Sequence, residues 1–140
     1  MIFLDTSVLI AVAQVNHIHH APSRALWDQC TISTTAVSTH TLAEIYSTLT
    51  AMPPRLRISP RDAVLVIETF LARLTPVALS AEGYLQTLRD TSNRGPSGDM
   101  IYDALHIACA RKVDAERIYT WNLKHFRAVA PDLATRIVSP

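Results

Sequence analysis

Residues 1–13 read MIFLDTSVLIAVA, and their reading decides the fold. Ile2–Leu4 is too short and too near the terminus to be anything but a strand or a tail, and Thr6–Ala13 reads as a helix starting almost at once behind it. The same alternation continues down the chain. Pro22 stands where a first-turn proline opens a helix over Ala21–Gln29, burying Ala25, Leu26 and Trp27. Ile32–Val37 is rich in β-branched residues and reads as a second strand. Thr39–Met52 follows as a helix and stops at Pro53-Pro54, because proline brings no N–H and restrains the residue before it. Ser59 is an N-cap with Pro60 as first helical residue, and Val64, Ile67, Leu71 and Leu74 recur at helical spacing.

Pro76–Leu79 is a short third strand, and Ser80 caps a helix over Ala81–Asn93. Arg94–Gly98 is a loop holding two of the three glycines. A further helix, a fourth strand over Arg117–Thr120, a short helix over Leu123–Arg127 and a fifth strand over Arg136–Val138 complete the pattern. Strands separated by helices imply an α/β fold, a parallel sheet with helices on both faces. In such sheets ligands bind beyond the carboxyl ends of the strands, so the loops there hold the residues to watch.

The bulk numbers agree with a packed domain. At 140 residues, 49% hydrophobic and 18% charged, the chain has the apolar content of a single globular domain over residues 1–140. Cys30 and Cys109 stand far apart, with neither a disulfide framework nor a zinc motif around them, which fits a reducing compartment. The start lacks a basic leader segment and no apolar run approaches a membrane span, so a cytoplasmic protein is expected. A net charge of +1 leaves any polyanion site to be local.

Four polar residues stand where chemistry is expected. Asp5 directly follows the first strand; it is either an N-cap of the next helix or a crevice carboxylate. Glu44 lies on the helix after the second strand, with capping-box spacing to Thr41 as its simpler explanation. Asp103 sits in GDMIYDALHIACA, residues 98–110, a helix poor in charge between Asp103 and Arg111. At about 100° per residue, Ile101, Ala104, Leu105 and Ala108 make one core face, while Asp99, Asp103, His106 and Ala110 share the other. A carboxylate in so apolar a helix is a first-turn dipole partner, or is paired, hydrogen-bonded or metal-bound. Asn122, in YTWNLKHF (119–126), reaches the same edge as Asp5 if the fourth strand neighbours the first. Several oxygen ligands round one crevice suit Mg²⁺ or Mn²⁺.

These motifs, D-T-S after an N-terminal strand, A-E after the second, Y-D-A-L-x-I-A-x-A late in the chain and T-x-N-x-x-H-F near its end, resemble those of PIN-domain ribonucleases. At this length the resemblance is to the VapC toxins of bacterial toxin–antitoxin pairs. It implies strand order 3-2-1-4-5, an acidic Mg²⁺ or Mn²⁺ site and endonucleolytic RNA cleavage leaving 5′-phosphate and 3′-hydroxyl ends. Asp5, Glu44 and Asp103 match the three acidic positions, with Asp5 and Asp103 as chief metal ligands and Glu44 on the attacking water. Asn122 takes a fourth position where many members have Asp. Asp99 is a further candidate acid, and Ser7 and Thr120 are candidate hydrogen-bonding auxiliaries. Arg94 and Lys124 are the basic residues nearest the motifs, and stacking side chains near the site look few. The resemblance also implies a homodimer and a cognate antitoxin, with the N-terminal helices around Trp27 and the Pro53-Pro54 region as surfaces to inspect.

Competing readings have less behind them. The stretch NHIHH (16–20) lacks the partners of a zinc motif and reads as a polar loop between helices. A phosphatase using Asp5 as nucleophile wants a second acid where Ser7 stands, and a chain with three glycines has no phosphate-binding glycine loop. The alternative that survives is a PIN-like module that binds RNA or protein without cutting, kept open by the neutral Asn122.

Overall fold

Successive residues of a strand face opposite sides of its sheet, and here both sides are covered. Phe3 and Leu4 are adjacent and both fully buried. The computed structural model describes residues 1–93, 98 and 100–140. Strands β1 (Ile2–Leu4), β2 (Thr35–Ser38), β3 (Thr75–Val77), β4 (Arg117–Tyr119) and β5 (Ile137–Val138) form one sheet in the order β3-β2-β1-β4-β5. Every pairing is parallel. This is the α/β architecture and the strand order that the motifs imply.

Helices α1 (Thr6–Ala13), α2 (His20–Trp27), α3 (Thr39–Ala51), α4 (Pro60–Leu71), α5 (Ala81–Ser92), α6 (Met100–Lys112) and α7 (Leu123–Val129) occupy the connections. Leu4 and Val37 pack with Leu9, Ile45, Leu49 and Phe70, so α1, α3 and α4 cover one face. Phe3, Ala36 and Ile118 pack with Ala104, Ile107, Ala110 and Phe126, so α6 and α7 cover the other. Cys30 and Cys109 are free thiols buried in these two layers. Among the described residues no helix is long and apolar enough to cross a membrane.

Several boundaries and faces differ from the sequence expectation. β2 starts at Thr35 rather than Ile32, because Thr31 and Thr34 close a turn through their hydroxyls, 2.8 Å apart, leaving Ile32 exposed. The Ser59 cap and Pro60 start of α4 are as expected, with Ser59 Oγ accepting the Asp62 N–H at 3.1 Å. Leu74 is buried and Ile67 packs against the core as the spacing predicts, but Ala63 and Phe70 join them on the inner side and Val64 is exposed. In α2, Ala25 is exposed while Ser23 and Trp27 are buried. Trp27 packs edge-on against Phe70 with ring centroids 5.0 Å apart, so its ring is core and not a surface for a partner.

Phe126 seals α7 against the sheet and is completely buried. Phe126→Ala is expected to lower unfolding stability by about 3–5 kcal/mol, the usual cost of emptying a buried aromatic site. Urea denaturation measures it, and a loss below about 1 kcal/mol would contradict this account of the core.

Candidate active site

The register of the sheet puts the first pieces of the site together. Leu4 lies beside Tyr119, and the Asp5 N–H donates to the Tyr119 carbonyl at 2.9 Å, so the chain leaves β1 and β4 at the same edge. The strand order reverses direction at this point, between β1 and β4, where crevices form in doubly wound sheets. Asp5 is buried with only 5% of its surface exposed. Its Oδ2 accepts hydrogen bonds from Ser7 Oγ at 2.6 Å, Thr120 Oγ1 at 2.9 Å and the Ser7 N–H at 3.3 Å. The last of these caps α1, so Asp5 is both an N-cap and a crevice carboxylate. Ser7 and Thr120 thus both reach Asp5, and they fix the chain opposite as well. Ser7 Oγ accepts the Trp121 N–H at 3.0 Å, and Thr120 Oγ1 accepts the Asn122 N–H at 2.9 Å.

Glu44 is not a capping-box residue. α3 begins at Thr39 behind Ser38, whose Oγ accepts the His40 N–H at 3.0 Å, so Thr41 lies inside the helix and Glu44 is released to reach across. Glu44 Oε2 accepts from Thr6 Oγ1 on α1 and sits 2.8 Å from His106 Nε2 on α6. The same imidazole nitrogen lies 3.9 Å from Asp5 Oδ1. Burial works against a charge on Glu44, but the His106 bond and charge, with smaller help from Thr6 and His40, outweigh it and hold the carboxyl below its ordinary value. Burial likewise opposes charge on His106, yet the Glu44 hydrogen bond and the negative charge of Asp5, Glu44 and Asp103 raise its pKa.

Asp103 occupies the first turn of α6 and faces the same crevice. Its side chain is 16% exposed. Asn122 Nδ2 is 3.5 Å from Asp103 Oδ2, and His125 Nδ1 is 3.6 Å from it. Both contacts are long for hydrogen bonds. Burial, then the negative charge of Asp5, push the Asp103 carboxyl from an ordinary 3.8 up to about 6. The expected faces of α6 need correcting. Ala104 and Leu105 are buried as expected, but so are His106 and Ala110 on the opposite side, while Ile101 and Ala108 are only partly covered. Packed between the sheet and α5, the middle of the helix, Ala104–Ala110, is enclosed on most sides, and the side bearing Asp103 and His106 turns to the end of the sheet.

The structure therefore brings Asp5, Glu44, Asp103, Asn122, Ser7 and Thr120 to one crevice. Lys124 is exposed in the first turn of α7, two residues after Asn122. Arg94 and Asp99 lie outside the described residues. His106 was legible only as sharing a helical face with Asp103; its spacing of three from that acid was the available signal. Thr6 and Tyr102 stood inside the D-T-S and Y-D-A-L motifs without a role of their own, and His40 carried no signal that distinguished it from an ordinary helix residue.

The donor set of the crevice is hard oxygen, which fits Mg²⁺ or Mn²⁺. Among the described residues Asp5 Oδ1 faces only the distant His106, and burial together with Asp5 makes a charge on Asp103 costly. Among the described residues no three His, Cys, Asp or Glu side chains form a ready-made metal cage.

Residues 2–130 match the family model of the PIN domain. The chain is 36% identical over 114 residues to Ribonuclease VapC27 of Mycobacterium tuberculosis, covering 81% of this chain and 79% of that protein. Its fold is similar to that of Mycobacterium tuberculosis VapC20, described as a sarcin-ricin loop cleaving toxin, with a TM-score of 0.72 at 22% identity over 91% of this chain and 95% of that one. It is also similar to VapBC2 from Rickettsia felis, solved bound to a DNA fragment from their promoter, with a TM-score of 0.58 at 20% identity over 91% and 92% of the two chains.

Because the folded-state pKa of Asp103 is raised, its contribution to stability is complete below about pH 4 and is lost as pH rises through about 6. Asp103→Asn escapes that loss. In chelator, the variant is expected to melt a few degrees above the parent at pH 7.5, the gap closing towards pH 4. A variant no more stable than the parent at pH 7.5 would show that burial and Asp5 impose no such cost on the Asp103 charge.

Proposed function

The chain belongs to the PIN-domain family, and from that membership we propose that it is an endoribonuclease acting as the toxin of a toxin–antitoxin pair. The observation that carries the reading is the convergence of Asp5, Glu44 and Asp103, from three separate elements, on the carboxyl end of β1. The kinship with Ribonuclease VapC27 supports RNA as substrate. Residues 1–140 make one PIN domain in this reading: the family match ends at residue 130, but β5 beyond it completes the sheet beside β4. A cognate antitoxin protein is its partner, the toxin is a homodimer, and the setting is cytoplasmic.

Asp5 and Asp103 hold the Mg²⁺ or Mn²⁺ ion. Such an ion, when bound, polarises a phosphodiester and makes a nearby water a better nucleophile. Ser7 and Thr120 occupy Oδ2 of Asp5 and so leave Oδ1 turned to the crevice. Thr6 and His106 occupy Oε2 of Glu44, leaving Oε1, with His40 Nε2 at 3.8 Å, to orient the attacking water and take its proton. His106 is the positioning residue that sets the Glu44 carboxylate from the far side. Asn122 directs its amide at Asp103; being neutral, it adds no third charge beside a carboxyl that Asp5 already burdens. Lys124, with Arg94, offers positive charge to the RNA backbone. Hydrolysis in this arrangement leaves 5′-phosphate and 3′-hydroxyl ends.

Purified protein is expected to cut RNA in Mg²⁺ or Mn²⁺ and to stop in EDTA. Asp5→Asn and Asp103→Asn are each expected to lower the rate by about 100- to 1000-fold, the scale for losing one preorganised electrostatic group. Expression without a partner should arrest growth, relieved by Asp5→Asn, and sequencing of 5′-phosphate ends identifies the RNA. Undiminished cleavage by both variants, or binding of RNA with no cleavage in either metal, would leave the non-catalytic module as the better description.

A further inference from the structure

Two pairs of stacked flat rings flank the carboxylates. On one side the His19 imidazole lies 3.7 Å from the Trp121 ring at an interplanar angle of 6°. On the other, His40 and Tyr102 stack at 5.1 Å and 11°. The NHIHH stretch is therefore not merely a connecting loop: it delivers His19 onto the residue between Thr120 and Asn122. One depression is lined by Thr6, Ser7, His17, Ile18, His19 and Trp121, a second by Thr6, His40, Glu44 and Tyr102, and both also include Thr48. The two adjoin at Thr6 and Thr48, and the Thr6 hydroxyl is bonded to Glu44, so a ring pair lines each of two neighbouring depressions beside the carboxylates.

Neither pair serves the core. Tyr102 is 47% exposed, Ile18 beside His19 is 86% exposed, and Trp121 and His19 are each partly open. Trp121 is nonetheless held from two directions. Its Nε1–H donates to Ser23 Oγ at 2.9 Å, and its backbone N–H to Ser7 Oγ at 3.0 Å, the same hydroxyl that bonds Asp5. Ser23 is completely buried, so the indole is pinned at its polar edge while its plane borders the depression. Rigid, partly open rings next to a phosphodiester-cleaving site suit unstacked bases, since every base has a π-face and stacking is worth a substantial affinity.

We propose, on the ribonuclease reading above, that the His19–Trp121 and His40–Tyr102 pairs are base-stacking platforms that hold the nucleotides on the two sides of the scissile phosphate. Each flat pair takes one splayed base, which sets the phosphate between them over Asp5 and Glu44. The platforms select RNA by requiring unpaired, flippable bases at both flanking positions.

The test uses the full chain carrying Trp27→Phe, which leaves Trp121 as its one tryptophan, and Asp5→Asn to prevent cutting. The probes are a mixed-sequence single-stranded RNA 12-mer and the same strand in a duplex. The single strand is expected to quench Trp121 fluorescence and the duplex to quench it weakly. His19→Ala and Tyr102→Ala are each expected to raise Kd for the single strand by about 5- to 150-fold, whereas His19→Phe and Tyr102→Phe, which keep a flat ring, stay near the parent value. Wild-type Kd in both alanine variants, or equal quenching by duplex, overturns the platforms. Cleavage assays in the Asp5 background separate the two levels: alanine variants cutting with parental rate and site preference defeat the platforms alone, and a parent that cuts no RNA defeats the ribonuclease reading with them.

Discussion

The contact between His106 and Glu44 joins the two helical layers across the end of the sheet. Glu44 comes from α3 on one face and His106 from α6 on the other, and at 2.8 Å their contact closes the crevice floor behind Asp5. A buried carboxylate needs donors, and one such imidazole answers the need of Glu44 while standing within 3.9 Å of Asp5. The positions of α3 and α6 relative to β1 are thus tied to the electrostatics of the site. Thr6 makes the same tie from α1.

Negative charge is distributed unevenly around this contact. Glu44 is supplied with donors and stays easily ionised, Asp5 is held by two hydroxyls and a backbone N–H, and among the described residues Asp103 receives long contacts from Asn122 and His125. The polar demand of the crevice therefore concentrates on Asp103. A protein fully at ease with its own charges there would have less to gain from binding one. The hydroxyls of Ser7 and Thr120 extend the same network to Trp121 and Asn122, so these residues and the Asp5 carboxylate are positioned by shared atoms.

Much of the architecture was legible because parallel α/β sheets write themselves into local pattern. The alternation of short β-branched runs with capped helices, the proline at position 60 and the proline pair at 53–54 are local signals, and they placed five strands and seven helices to within a few residues. The misplaced faces have equally definite causes. Over Ala104–Ala110 of α6 every position but Ala108 is buried, so periodicity could not say which side meets the sheet. In α4 the buried positions include Ala63 and Phe70, one residue before Val64 and Leu71, and Val64 is left exposed.

By itself the sequence determined the fold class, the strand order through its family motifs, and the identity of the carboxylates and amide gathered at the strand ends, because those depend on residue type and short spacing. Tertiary structure alone decided that His106 is the donor to Glu44, that Asp5 serves cap and crevice at once, and that His19 from a connecting loop stacks on Trp121 more than a hundred positions later. Each of these is a contact between distant segments. Its existence depends on register and helix rotation, which pattern along the chain leaves free and packing against both faces of the sheet fixes.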